Sequence, residues 1–128
     1  MGFLDNLRDP IWALLRIMTG AMFVWHGTSK LFGFPTEAPD APAFIIYGAG
    51  GLELVGGILV AIGLFTRPVA FVCSGLMAAA YWIAHGTNDL FPINNGGELA
   101  ALYCFVFLAI AAYGSGIWSV DGARSDAD

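Results

Sequence analysis

The chain has 128 residues, 58% of them hydrophobic and only 12% charged, with a mean hydropathy of +0.72 and a formal net charge of −5. A water-soluble domain carries about a quarter charged residues, so the composition excludes that class and points to one integral membrane domain over residues 1–128. The acidic balance, to which Asp121, Asp126 and Asp128 contribute, comes with no basic patch and excludes nucleic acid as a partner.

Four apolar stretches follow one another: Ile11–Gly33, Ala43–Phe65, Pro68–Gly86 and Gly97–Ile117. Each has about 20 residues, enough at about 1.5 Å per residue to cross a hydrocarbon core of roughly 30 Å. The first contains Arg16 and no small-residue cleavage site follows it, so it reads as a span and not as a cleavable leader. Asp9-Pro10 and Thr66-Arg67-Pro68 each offer a capping side chain and then a first-turn proline, and Asn94-Asn95 precedes the fourth stretch. Pro35 to Pro42 holds three prolines and two acids and reads as an exposed loop. The expected fold is all-α: a four-transmembrane-helix bundle, up-down-up-down. Alternation places Arg8, Arg67 and Arg124 on one side, with Arg16 near it. The positive-inside rule then puts both termini in the cytoplasm, with Lys30 the one dissenter at the opposite end.

Six ionisable side chains lie in or at the ends of these stretches: Arg16, His26, Lys30, Glu53, His85 and Glu98. A charge at the middle of a span costs on the order of 3 kcal/mol, so such groups face the bundle and find partners. Arg16, Thr19, Gly20, Phe23, His26, Gly27 and Lys30 share one helical stripe. Arg16 and Lys30 can also be read as end residues that snorkel to the two surfaces. Glu53 is the deepest acid and sits among Ala49, Gly50, Gly56 and Gly57, small residues that admit a neighbouring helix. Counted from the outer ends, His26 and Glu53 lie at similar depth and are expected to approach, directly or through water. The alternative for Glu53 is a protonated acid hydrogen-bonded within the packing.

His85 and Glu98 are shallower. Asn95-x-x-Glu98 fits a capping box, and His85 fits an interfacial residue. Both also lie at the outer end, so His26, Lys30, Glu53, His85 and Glu98 are the expected walls of one outward polar pocket. Trp25, Phe32, Tyr81, Trp82 and Phe91 are candidate aromatic walls, or else members of an interfacial belt. The phrase His26-Gly27-Thr28-Ser29-Lys30-Leu31-Phe32 returns as His85-Gly86-Thr87-Asn88-Asp89-Leu90-Phe91. Each copy is followed by glycines and a glutamate, at Glu53 and at Glu98. Two hairpins of one orientation would be parallel repeats of a duplicated helical hairpin.

Cys73 and Cys104 stand alone inside helices, with no C-x-x-C, which disfavours disulfide exchange and leaves both to packing. Two histidines and two carboxylates suit a transition metal, but all four come from different helices with no local ligand spacing, so no metal is assigned. The chain has no haem-ligand pair, iron–sulfur cysteine set or nucleotide loop, so no cofactor is expected within it. A quinone is the ligand that such a pocket suits: His26, Lys30 and His85 as donors, Glu53 as proton relay, aromatic side chains as walls.

Trp25-His26-Gly27 with Lys30, Gly51-x-Glu53 with Gly56-Gly57, Gly63-Leu64-x-Thr66-Arg67, Asn95-Gly96-Gly97-Glu98 and Trp118-Ser119-Val120-Asp121 form an ordered set from about Ile11 to Gly122. In that set the chain resembles the DoxX family of small bacterial membrane proteins. The resemblance implies a four-helix protein of the bacterial plasma membrane. The family takes its name from a small subunit associated with quinone-linked oxidation of thiosulfate. His26, Lys30, Glu53 and Glu98 fall on its motif positions. The leading expectation is a subunit or accessory protein of a quinone-linked redox system, working with a partner redox protein as a homo-oligomer or heteromeric complex. A non-enzymatic membrane scaffold or assembly module, and an oligomeric small-solute carrier, are the alternatives.

Overall fold

The computed structural model describes residues 1–127, and the tail acid Asp128 lies outside the described residues. Among the described residues all regular secondary structure is helical, with no strand. A short 3-10 turn over Gly2–Leu7 leads into α1 (Arg8–Phe32). Then come α2 (Ala43–Ile62), α3 (Thr66–Ala84), a one-turn α4 (Pro92–Asn95), α5 (Glu98–Tyr113) and α6 (Val120–Ala127). By length and composition, α2 and α3 can cross a membrane; α5 is apolar but has 16 residues.

Helix ends depart from the expected ones for local reasons. α2 stops at Ile62 and not at Phe65, because Gly63 takes the left-handed conformation at φ 72° and donates to the oxygens of Leu59 and Val60. α5 stops at Tyr113 and not at Ile117, where Gly114 (φ 93°, ψ −172°) leads the chain away. Asp9 does not cap α1: the helix already begins at Arg8, with no side-chain cap. Nor does Thr66 cap α3. That end is closed from a distance by Asp121, whose carboxylate accepts from the Phe65 N–H at 3.1 Å and the Thr66 N–H at 2.8 Å. The capping box at α5 is also replaced. Asn95 ends α4, Gly96 turns the chain at φ 77°, and Gly97 is the N-cap; the Asn95 Oδ1 accepts from the Gly97 N–H at 2.8 Å.

The long helices pack as two close pairs, α1 with α2 and α3 with α5. The pairs join mainly through α2 and α3, while α1 and α5 touch sparingly. The first pair is a glycine seam. A Cβ on Gly20 would lie 2.7 Å from the Gly57 oxygen, and one on Gly27 would lie 2.5 Å from the Leu54 nitrogen. Backbones this close gain dispersion contacts along the whole interface. All four long helices feed one core, in which Phe23 of α1 meets Phe107 and Tyr103 of α5 at ring distances of 4.7 and 5.4 Å. Outward faces are apolar instead of charged: Phe71 is 65% exposed and Phe105 68%. A water-soluble surface does not carry its large hydrophobic side chains in this way.

One end of the molecule is tied by residues distant in sequence. Arg16 is fully buried. Its Nε donates to the Ser115 oxygen, one terminal nitrogen to Val60 and Ala61, and the other to Ile117 and Trp118, at 2.6–3.1 Å. The Trp12 indole donates to Gly114 and the Arg67 Nε to Ala111. Arg16 is therefore an internal staple and not a snorkelling end residue.

Candidate functional site

Lys30 and Glu53 carry the site. The Lys30 ammonium donates to both Glu53 carboxylate oxygens, at 3.0 and 2.9 Å, and Glu53 is 3% exposed. The backbone makes this pairing possible. Lys30 lies in the last turn of α1, where a cation is favoured by the helix dipole. Its stem crosses α2 at Gly50, where an added Cβ would come within 3.0 Å of the Lys30 Cβ. The ammonium then reaches the carboxylate one turn further along α2. Both charges are largely out of water, so each compensates the other's lost hydration.

Beside the ion pair is a cavity of about 390 Å³. Lys30, His26, Ser29, Met22 and Trp25 form its α1 wall, Tyr103 its α5 wall, and Pro35, Thr36, Glu37 and Pro39 of the following loop lie over it. The Thr36 hydroxyl hydrogen-bonds Ser29, at 3.3 Å, which ties the loop back to α1. His26 is half-buried, its ring edge-on to Tyr103 at 5.7 Å and 88°. Among the described residues it makes no hydrogen bond to Glu53. Of the expected approach of His26 to Glu53, the direct contact is not formed: the longer Lys30 stem reaches the acid, and His26 is turned to the cavity and to Tyr103.

The structure separates the other two polar candidates from this group. The His85 Nδ1 lies 3.1 Å from the Asn95 oxygen, in a link between the end of α3 and α4. Glu98 is exposed, on a different cavity of about 410 Å³ with Pro92, Ile93, Leu99 and Leu102. The expected single pocket with five polar walls is therefore not one space. The two histidine phrases differ accordingly: the first is helical within α1, and the second starts past the end of α3 and runs through turns. Of the aromatic candidates, Trp25 lines the cavity. The Tyr81 hydroxyl accepts from the Asn95 amide at 3.0 Å, and Trp82, Phe32 and Phe91 are exposed elsewhere.

Sequence reasoning missed Tyr103. It is 5% exposed, stacks on Phe107 and faces Phe23, and its hydroxyl is buried with no hydrogen-bond partner among the described residues. Its signal was a hydroxyl-bearing side chain inside an otherwise apolar helix, where a tyrosine needs a partner for its hydroxyl. Chemically, the cavity presents a cation, an imidazole, the hydroxyls of Ser29 and Thr36 and the carboxylate of Glu37 beside the apolar side chains of Met22, Trp25, Pro35 and Pro39, with the Glu53 carboxylate behind the cation.

A family model described as DoxX matches residues 11–86. An uncharacterized protein of Haemophilus influenzae is 42% identical over 130 residues, covering 94% of this chain and 96% of that protein. A Bacillus subtilis protein named "Putative oxidoreductase CatD" is 41% identical over 61 residues, covering 44% of this chain and 46% of that protein. No solved structure matches the chain.

Proposed function

The chain belongs to the DoxX family of membrane proteins, and on that premise we propose that it is a subunit or accessory protein of a quinone-linked redox system. Its four long helices cross the bacterial plasma membrane up-down-up-down. Both termini and the Arg67 turn lie in the cytoplasm, in keeping with the positive-inside rule. The outer cavity takes the quinone. Lys30 and His26 face its carbonyl oxygens, Trp25 packs on its ring, and Glu53 passes protons through Lys30. Electrons come from a partner redox protein.

One observation carries this reading: an ion pair almost closed to water stands directly beside a cavity in which His26, Ser29, Thr36 and Glu37 alternate with the apolar side chains of Met22, Trp25, Pro35 and Pro39. Ionisable groups at such depth in a membrane protein mark ligand or proton sites by default. The likeness to the protein named "Putative oxidoreductase CatD", over 44% of this chain, supports the same class. The test is quinone binding by purified protein in lipid, with Glu53→Gln and His26→Ala alongside. Both variants are expected to weaken binding, and unchanged binding in both would remove the site assignment.

The bidentate geometry of Lys30 on Glu53 favours a second reading, a non-enzymatic scaffold in which the pair only locks α1 to α2. That reading predicts that Glu53→Gln lowers thermal stability and leaves every ligand response unchanged.

A further inference from the structure

The motifs Gly63-Leu64-x-Thr66-Arg67 and Trp118-Ser119-Val120-Asp121 play no part in the outer cavity. They meet each other at the opposite end of the bundle. The Asp121 N–H donates to the Gly63 oxygen at 2.9 Å, and the Asp121 carboxylate closes the start of α3. Phe65 and Trp118, one from each motif, both hold left-handed backbone, at φ 49° and 56°. Bulky residues keep such a conformation only where their surroundings fix it.

This junction builds a cavity of about 690 Å³ with Arg67 and Arg124 on its walls, beside Phe65, Tyr113, Asp121 and Ser125. Tertiary contacts position both cations. Arg67 spends its Nε on the Ala111 oxygen at 2.8 Å, and its terminal nitrogens make no hydrogen bond among the described residues. The Arg124 guanidinium lies over the Phe65 ring, 6.0 Å from its centre. Among the described residues neither arginine forms an ion pair. Asp121 does not neutralise them by contact, because its two oxygens accept from the N–H groups of Phe65 and Thr66. Two cations with donors to spare therefore border one space. The guanidinium fork matches the oxygens of a phosphate. The cavity lies where α3 begins and α5 ends, beside Tyr113, which is 83% exposed and stands where tyrosine meets lipid headgroups.

We infer that this cavity binds a phosphate group between Arg67 and Arg124, carried by an anionic phospholipid headgroup or free in solution. Basic pockets at the ends of membrane helices take such headgroups, and each arginine adds attraction to an anionic leaflet. The lipid source rests on the membrane-spanning reading; the quinone and its cavity do not enter.

The test uses the full chain in two arms. In the first, the protein is reconstituted into vesicles of equal parts phosphatidylcholine and phosphatidylglycerol, and native mass spectrometry counts the lipids it retains. In the second, inorganic phosphate is added in detergent, against chloride of equal ionic strength, and thermal melting is followed. The wild type is expected to retain phosphatidylglycerol in preference to phosphatidylcholine. Arg67→Gln and Arg124→Gln should each cut that preference about fivefold, the worth of one arginine near an anionic surface. Arg124 makes no hydrogen bond among the described residues, so its variant separates binding from folding. Arg8→Gln, outside the cavity and paired with Asp5, should leave the preference unchanged. A melting rise with phosphate that the double variant loses, without lipid preference, keeps the site and makes free phosphate its ligand. Neither response, or one that survives in the double variant, or one that Arg8→Gln weakens equally, overturns the inference. A chain that alkaline carbonate strips from the vesicles removes the membrane-spanning reading, and the phosphate arm still decides the site.

Discussion

Arg16 donates to the main-chain oxygen of Trp118 at 2.7 Å, across 102 positions of sequence. Trp118 holds a left-handed backbone at φ 56°, a conformation that a bulky residue adopts only under external constraint. The same guanidinium holds Ser115, Ile117 and the last-turn oxygens of α2, so its five N–H groups all meet oxygens. Among the described residues no carboxylate hydrogen-bonds it. The negative end of the α2 dipole and a set of carbonyls receive the charge instead.

Arg16→Lys is therefore expected to destabilise the protein although the charge is kept. An ammonium has three donors on a flexible stem against five acceptors in a planar fan. Orphaned buried carbonyls cost about 1–3 kcal/mol each. Thermal unfolding in detergent should show a clear drop for Arg16→Lys and a larger one for Arg16→Met. A lysine variant melting with the wild type would show that the fan of hydrogen bonds is dispensable.

Lys30 and Glu53 should behave as a coupled pair. Removing one partner of a buried ion pair strands the other, at about 3–5 kcal/mol. Glu53→Gln and Lys30→Gln should each lower stability, while the double variant loses less than the sum, with a coupling of about 1–3 kcal/mol. Additive effects in a thermal or denaturant cycle would remove the pair from the account of the fold.

The glycine seam makes a positional prediction. Gly27→Ala forces a Cβ into the α2 backbone near Leu54 and Gly50, where neither neighbour is a flexible tip. Such overpacking costs about 1–3 kcal/mol. Gly48→Ala meets nothing within 4 Å and gains helix propensity, about 0.5–1 kcal/mol. Melting temperatures should move in opposite directions, and a common direction would contradict the packing.

Asp121 gives the pH dependence. Partial burial raises its pKa, but the N–H groups of Thr66 and Phe65 and the nearby Arg124 outweigh this and hold it below the ordinary 3.8. A lowered folded value means that its stabilisation is present above the ordinary aspartate range and is lost as pH falls through the folded value. At neutral pH, Asp121→Asn should cost about 1 kcal/mol, as for a lost helix cap. The difference from the wild type should shrink as pH drops below the aspartate range. A gap that is constant with pH would show that the carboxylate charge is not what closes α3.

The helical extents were legible in sequence to within a few residues, because long apolar runs and terminal glycines act locally. Glu53 on an inward face was legible for the same reason, since its helical neighbours are glycines. The partner of Glu53 was not. Depth along two helices ranks His26 and Lys30 only crudely, and the choice depends on the rotation of α1 against α2 and on the length of the lysine stem. Tyr103 was hidden by composition: it stands in a stretch where every neighbour is apolar, and only its buried, unpaired hydroxyl sets it apart.

By itself the sequence determined the apolar class, the helical segments, the small-residue face of α2 and the presence of deep charges that need partners. These follow from transfer free energies and a period of 3.6 residues, both local properties. Tertiary structure alone decided that Lys30 and not His26 meets Glu53, and that His85 and Glu98 stand apart from the cavity. It also decided that Arg16 and Asp121 fasten the opposite end, through contacts spanning 44 to 102 positions. The reason is geometric: which groups meet across helices depends on their mutual rotation and on where the chain returns, and no local pattern carries either.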